Sequence, residues 1–259
     1  MPKSLKRLIF APFDPFPMRQ FVLLGSVLIM IACSSSPPEK PTLTNPSVRH
    51  FGALKEIMHK GDLSSRININ SLSDSTHVYG LGALKDLKGE ILIWDSQPYM
   101  AEVEDSILKI DESWNRHAAL LVYSQVAEWE IIELTDGFET LADLERLLAQ
   151  HGHAQGLDTN KAFPFLLKGT FGKADWHVIN WPEGDTEHSH AKHIASGLHG
   201  SEFDVQARVL GFYSQNHKAV YTHHTRFIHM HLFSDDGKIL GHADDLQGMP
   251  GLQLYLPKS

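Results

Sequence analysis

Arg226-Phe-Ile-His-Met-His-Leu-Phe-Ser-Asp-Asp-Gly-Lys-Ile-Leu-Gly-His-Ala-Asp-Asp245 is the most organised stretch of the chain. Two apolar runs flank Ser234-Asp-Asp-Gly237, a turn signal of the kind that joins the strands of a hairpin. Alternate residues of a strand share a face, so His229 and His231 point the same way. With Asp235 and Asp236 as the loop, position 234 pairs with 237. His242 then lies directly opposite His229, with Cβ atoms about 5 Å apart, and His231 is the diagonal neighbour. A three-residue loop would instead turn His242 to the other face. One strand histidine is usually ordinary sheet. A pair two residues apart, with a third in register on the partner strand, is less easily accidental. Three imidazoles converging on one point suit zinc, with Zn–N bonds of about 2.0–2.1 Å. Neutral ligands leave the ion its full charge and an open position, the pattern of catalytic sites. Histidine ligation also suits other transition metals.

A rival cluster stands upstream. His188, His190 and His193, with His199 nearby, occupy a polar stretch among Pro182, Gly184 and Gly197. No strand or helix pattern fixes it, so a solvated loop is expected there. His223 and His224 are expected at the mouth of the strand that enters the hairpin.

Further out, apolar runs predict strands over 78–84, 90–94, 99–103, 118–126, 163–167, 176–180, 205–213 and 226–233. Leu54, Ile57 and Met58 suit a short helix within 50–59. Thr140 reads as an N-cap with Asp143 three residues on. Leu141, Leu144, Leu147 and Leu148 follow at helical spacing, and Gly152 ends the helix. Strands dominate, so the expected class is α+β: two packed, mixed or antiparallel sheet halves with a few helices. The halves are expected at about 48–160 and 161–259, as one domain over 48–259. The metal site would lie in the second half.

The chain has 259 residues, 42% hydrophobic and 21% charged, an ordinary globular composition. Its net charge is −8, and no basic patch stands out, which argues against a nucleic-acid partner. An anionic ligand would be drawn by a local positive centre such as a metal. The 17 histidines, clustered after position 176, hint at metal chemistry. Phe21 to Ala32 is an uncharged apolar run, shorter than the about 20 residues of a membrane span. Lys3, Lys6, Arg7 and Arg19 precede it, as in a signal peptide, and Met18 is an alternative start. The run ends in Ile31-Ala32-Cys33-Ser34, which resembles a bacterial lipoprotein box. Residues 1–33 therefore read as a signal peptide with lipidation at Cys33, the chain's single cysteine, and 34–47 as a Ser/Pro-rich tether. The expected location is the cell envelope, held to a membrane by the lipid.

The hairpin is similar to the signature of the α-acetolactate decarboxylase family, a strand ending HxHFISDD followed by GGH. Here it stands as His229-Met-His-Leu-Phe-Ser-Asp-Asp236 and Gly241-His242. Phe51-Gly-Ala-Leu54, Tyr79-Gly-Leu-Gly-Ala-Leu84, Asp86-Leu-Lys-Gly-Glu-Ile91, Gly137-Phe-Glu-Thr-Leu-Ala-Asp-Leu144, Lys168-Gly-Thr-Phe171 and Gly211-Phe212 resemble further family segments in the same order. The resemblance implies that His229, His231 and His242 hold Zn²⁺, and that CO₂ is lost from 2-acetolactate to give acetoin. The metal would act as a Lewis acid on the electrons left behind, and a positioned acid would deliver the proton. Glu90 matches the glutamate of the family's DGE motif and is the candidate acid. Two features depart from the family. Its catalytic arginine has no clear counterpart: His177 or Asn180 stands near that position, and Arg146 and Arg208 are the neighbouring arginines. A family glutamate after the hairpin is also missing, since no Glu follows Glu202. Arginine clamps carboxylates in a bidentate way that histidine cannot copy. Glu90 and His177 are thus the catalytic candidates. The alternatives are a decarboxylase of a related 2-hydroxy-3-keto acid, or an envelope lipoprotein that keeps the zinc hairpin and binds a small carboxylate. A zinc hydrolase fits the ligand set but has no other support. A homodimer is a further expectation.

Overall fold

A computed structural model describes residues 44–258. The apolar run, Cys33 and most of the tether lie outside the described residues. In chain order the strands are β1 (Val48–Phe51), β2 (Ile67–Asn68), β3 (Val78–Leu84), β4 (Glu90–Trp94), β5 (Gln97–Glu104), β6 (Ile107–Asp111) and β7 (His117–Gln125). They continue with β8 (Trp129–Leu134), β9 (Phe163–Val178), β10 (Leu198–Tyr213), β11 (Ile228–Ser234), β12 (Leu240–Gly248) and β13 (Leu252–Pro257). Helices α1 (Leu54–Lys60), α2 (Leu141–Ala154) and α3 (His190–Ala195) interrupt them.

The strands form two antiparallel sheets, as the sequence predicts. The first runs β1-β7-β3-β4-β5-β6, with β2 also on β7. The second runs β10-β11-β12-β9-β13-β8, and β10 also pairs with β9. The pairings β9–β10–β11–β12–β9 therefore close on themselves. The chain crosses from one sheet to the other between Gln125 and Trp129. This corrects the expected division near 160: β8 and α2 belong with the second sheet, because β8 pairs with β13.

Three apolar layers hold the sheets. Val78, Ile91, Ile93 and Leu121 bury one face of the first sheet. Its other face, with Leu81, Leu92, Leu120 and Val122, packs on Leu166, Val178, Leu210 and Leu240 of the second. The far side of the second sheet is covered by α2 through Leu141, Leu144 and Leu148. Burial on both faces explains why β3, β4 and β7 read as continuous apolar runs and not as alternations. Thr140 caps α2 by accepting from the Asp143 amide at 3.1 Å. The helix passes Gly152 and ends at Ala154, with Gly156 at φ +81° beyond it. At the N-terminal end, 48–51 pairs with β7 as a strand, so the predicted helix is confined to α1. The two strands predicted at 163–167 and 176–180 are one, β9, because pairing to β10 continues through the polar residues between them.

Gly82 marks a close approach between β3 and β7, where an added Cβ would lie 2.0 Å from the Leu120 carbonyl oxygen. The clash is with backbone, which cannot rotate away. Gly82→Ala is expected to destabilise the protein by about 1–3 kcal/mol, lowering Tm by about 2–4 °C per kcal/mol. Thermal unfolding followed by circular dichroism checks this, and an unchanged Tm would contradict the packing described.

Candidate active site

The hairpin forms, with a longer loop than the sequence suggests. Ser234 pairs with Ile239, and residues 235–238 make the turn. Side chains set this length. The Ser234 hydroxyl donates to Asp236 Oδ1 (2.8 Å) and accepts from the Ile239 amide (2.9 Å). Asp236 Oδ1 also accepts from the Lys238 amide, and Gly237 supplies φ +71°. His242 therefore faces His231, not His229, and His229 becomes the diagonal neighbour. A slip of two residues keeps every side chain on its face, so the three imidazoles still share one surface. Their ring centroids lie 5.2 Å (His229–His231), 5.0 Å (His229–His242) and 5.7 Å (His231–His242) apart.

His177 on β9 extends the row, since it pairs with His242 in register and their rings are 4.8 Å apart. Its Nδ1 lies 2.7 Å from Asp244 Oδ2. Glu90 arrives from the first sheet at the start of β4. Its Oε2 is 3.5 Å from His231 Nε2, and its Oε1 is 4.0 Å from His177 Nε2. Oε1 also accepts from the Ile179 amide at 3.3 Å. The sequence-derived residues His229, His231, His242, Glu90 and His177 are thus gathered in one place. Asn180 is not: its side-chain oxygen is turned to Lys88, 3.5 Å away.

Burial decides the charges. It pushes the Glu90 carboxyl up to about 8, against the pull of His242 and the Ile179 amide. It holds His229 and His231 well below the usual histidine range, so both are neutral. Burial also disfavours charge on His242, but the adjacent Asp244 carboxylate outweighs it and raises that group. Asp244 is pushed up by burial, yet His177 and His242 hold it far below the ordinary carboxylate range.

The ring nitrogens are poorly satisfied. Among the described residues His229 Nδ1, both nitrogens of His231 and His242 Nδ1 are buried without a well-aligned hydrogen bond, although His242 Nδ1 lies 3.2 Å from Asp244 Oδ1. Neutral imidazoles left bare in a protein interior are costly unless something accepts their lone pairs, and a cation does. The donor set therefore fits a zinc ion. A second donor group overlaps it: single ligand atoms of His177, His242 and Asp244 lie within 4.8 Å of one another.

Glu90, His177, His229, His242 and Asp244 line a cleft of about 880 Å³ whose other wall includes Leu54, Ile57 and Met58 of α1, with His231 buried behind it. The rival histidines are not a solvated loop. Ser189 caps α3, accepting from the Lys192 amide at 3.2 Å. His188 stacks on Trp181 at 4.4 Å and meets His193 at 3.0 Å, while burial lowers His193 to about 4. His190 Nε2 comes to 3.8 Å from Asp244 Oδ1, and His190, His223 and His224 line the mouth of the same cleft. Ser189 ahead of a short run was the one sequence signal for this helix. Neither arginine considered above reaches the cleft. Arg146 pairs with Asp143, and Arg208 sits against the rings of Trp94, Tyr99 and Phe233 at 4.6–5.4 Å. Arg226 and Lys55 do line it, and sequence reasoning missed both, along with Asp244.

Solved structures share this fold. An alpha-acetolactate decarboxylase from Bacillus subtilis strain 168 superposes with a TM-score of 0.64 at 13% identity, covering 82% of this chain and 85% of that one. Acetolactate decarboxylase from Bacillus subtilis subspecies spizizenii gives 0.64 at 12%, covering 82% and 86%. A Staphylococcus aureus protein of unknown function, described as similar to alpha-acetolactate decarboxylase, gives 0.61 at 16%, covering 82% and 85%. No curated protein matches the chain. A family model described as alpha-acetolactate decarboxylase matches residues 51–256. A match of that extent, on this fold, makes the protein an enzyme of the carboxy-lyase class. It belongs to the α-acetolactate decarboxylase family.

Proposed function

We propose that the protein converts 2-acetolactate to acetoin and CO₂, with zinc held by His229, His231 and His242. The observation that carries this is the set of three imidazoles on one sheet face, two of them with poorly satisfied buried nitrogens, beside the Glu90 carboxyl. When bound, zinc would supply Lewis-acid polarisation of substrate oxygens. The rest falls to the chain. In the reaction the bond to the carboxylate carbon breaks, CO₂ leaves, and the electron pair spreads from the former C2 into the neighbouring ketone. That carbon then takes one proton. Glu90 is positioned to deliver it, buried at the cleft wall and within 4.0 Å of His177 Nε2, which can relay a replacement. Among the described residues Lys55 and Arg226 bring the only Lys or Arg side chains to the cleft lining, and they suit attraction of an anionic substrate. Leu54, Ile57, Leu120 and Ile179 line the remaining wall, where they exclude water and strengthen each electrostatic contact.

The lipobox-like segment ending at Cys33 supports a further part of the proposal, an envelope enzyme tethered by a lipid. Purified protein incubated with racemic 2-acetolactate is expected to release acetoin and CO₂ in equal amounts. Chelation should stop the reaction and zinc should restore it. Zinc-loaded protein that yields no acetoin would refute the assignment and direct attention to related 2-hydroxy-3-keto acids.

A further inference from the structure

Asp244 lies where a regular strand would not put it. Ala243 pairs with Trp176 and Asp245 pairs with Asp175, so Asp244 is the extra residue of a β-bulge on β12. Bulges re-aim a side chain, and this one folds the carboxylate back against two imidazoles. Oδ2 accepts from His177 Nδ1 at 2.7 Å. Oδ1 lies 3.2 Å from His242 Nδ1 and 3.8 Å from His190 Nε2. Oδ1 and His242 Nδ1 are both buried and bonded to nothing else, and at 3.2 Å a small turn of either group would align them. The side chain is 14% exposed.

We infer that Asp244 is a positioning residue: its one carboxylate holds Nδ1–H of both His242 and His177, leaving both Nε2 atoms bare and turned to the cleft. The inference rests on reading His242 as a metal ligand. An imidazole that donates from one nitrogen to a carboxylate presents the other as a fixed, more basic donor. For His242 that other nitrogen would face the metal. For His177 it faces Glu90. Asp244 as a direct ligand, together with His177 and His242, is the competing arrangement. It would leave His229 and His231 with no metal to accept their lone pairs in the interior, and would draw Asp244 away from the ring contacts it makes with His177 and His242. Leaving fewer buried polar atoms bare favours the positioning role.

Two-bond ¹H–¹⁵N correlation of the histidine rings, recorded well above the ordinary histidine range, reads the tautomers in the wild-type protein with and without zinc. Both His177 and His242 are expected as Nδ1–H. Asp244→Asn is expected to move His177 toward the Nε2–H form and to weaken zinc binding about 10–100-fold in chelator competition. With cobalt in place of zinc, the visible spectrum of Asp244→Asn should keep the band pattern of an unchanged donor set. A bare Nδ1 on either ring in the wild type would overturn the inference without any variant. So would zinc affinity within twofold of wild type, or a cobalt spectrum reporting a lost ligand. Wild-type protein that takes up no zinc would sink the zinc reading instead, while the tautomers would still decide this one.

Discussion

Acetoin formation and bound zinc are expected to vanish together when His231 is replaced by alanine. His231 is fully buried, it faces His242 across the hairpin, and its closest carboxylate neighbour is Glu90 Oε2 at 3.5 Å. Truncating it removes one of three imidazole donors and its contacts with Glu90 and the Ile91 backbone. Metal stabilisation of developing charge is worth several kcal/mol, and each 1.36 kcal/mol is tenfold in rate, so a loss of about 10³-fold or more follows. The fold should survive, because the cost is a cavity in a core that three apolar layers otherwise hold. Zinc content by elemental analysis, acetoin yield and a far-UV spectrum on the same sample check all three parts. Full activity with zinc retained would mean that the hairpin histidines are ordinary sheet residues.

The second large effect separates proton delivery from metal binding. Glu90→Gln keeps the shape of the side chain and an oxygen for the Ile179 amide. It removes only the exchangeable acid proton. Positioned general acids contribute about 10²–10⁴-fold, so kcat should fall by that factor while zinc is retained and KM changes little. Loss of zinc along with activity would recast Glu90 as a ligand through its 3.5 Å approach to His231. Unchanged kcat would move the proton donor to another group, with His177 first in line.

How much of this was legible in the sequence depended on where the information lay. The shared face of His229, His231 and His242 followed from alternation along strands, and it held although the register did not. The register missed by two because Ser234 and Asp236 build the turn with their side chains, which a count of loop residues does not see. β3 and β4 were plain because both faces are buried and the runs are unbroken. β6 and β8 escaped because they are edge strands with outward residues such as Ile107 and Ile131 left exposed. The approach of Glu90 rested on the resemblance and not on any local pattern. Asp244 was invisible for a physical reason: a bulge is set by the pairing of β12 with β9, two segments far apart in the chain. Arg226 was read as the start of a strand, but β11 begins at Ile228 and Arg226 reaches the cleft from the loop before it.

A zinc-edge anomalous difference map of crystals grown with zinc tests the central claim most directly. The account predicts one strong peak among the rings of His229, His231 and His242, within reach of Glu90. A peak held instead by His177, His242 and Asp244, with His229 and His231 bare, would contradict it.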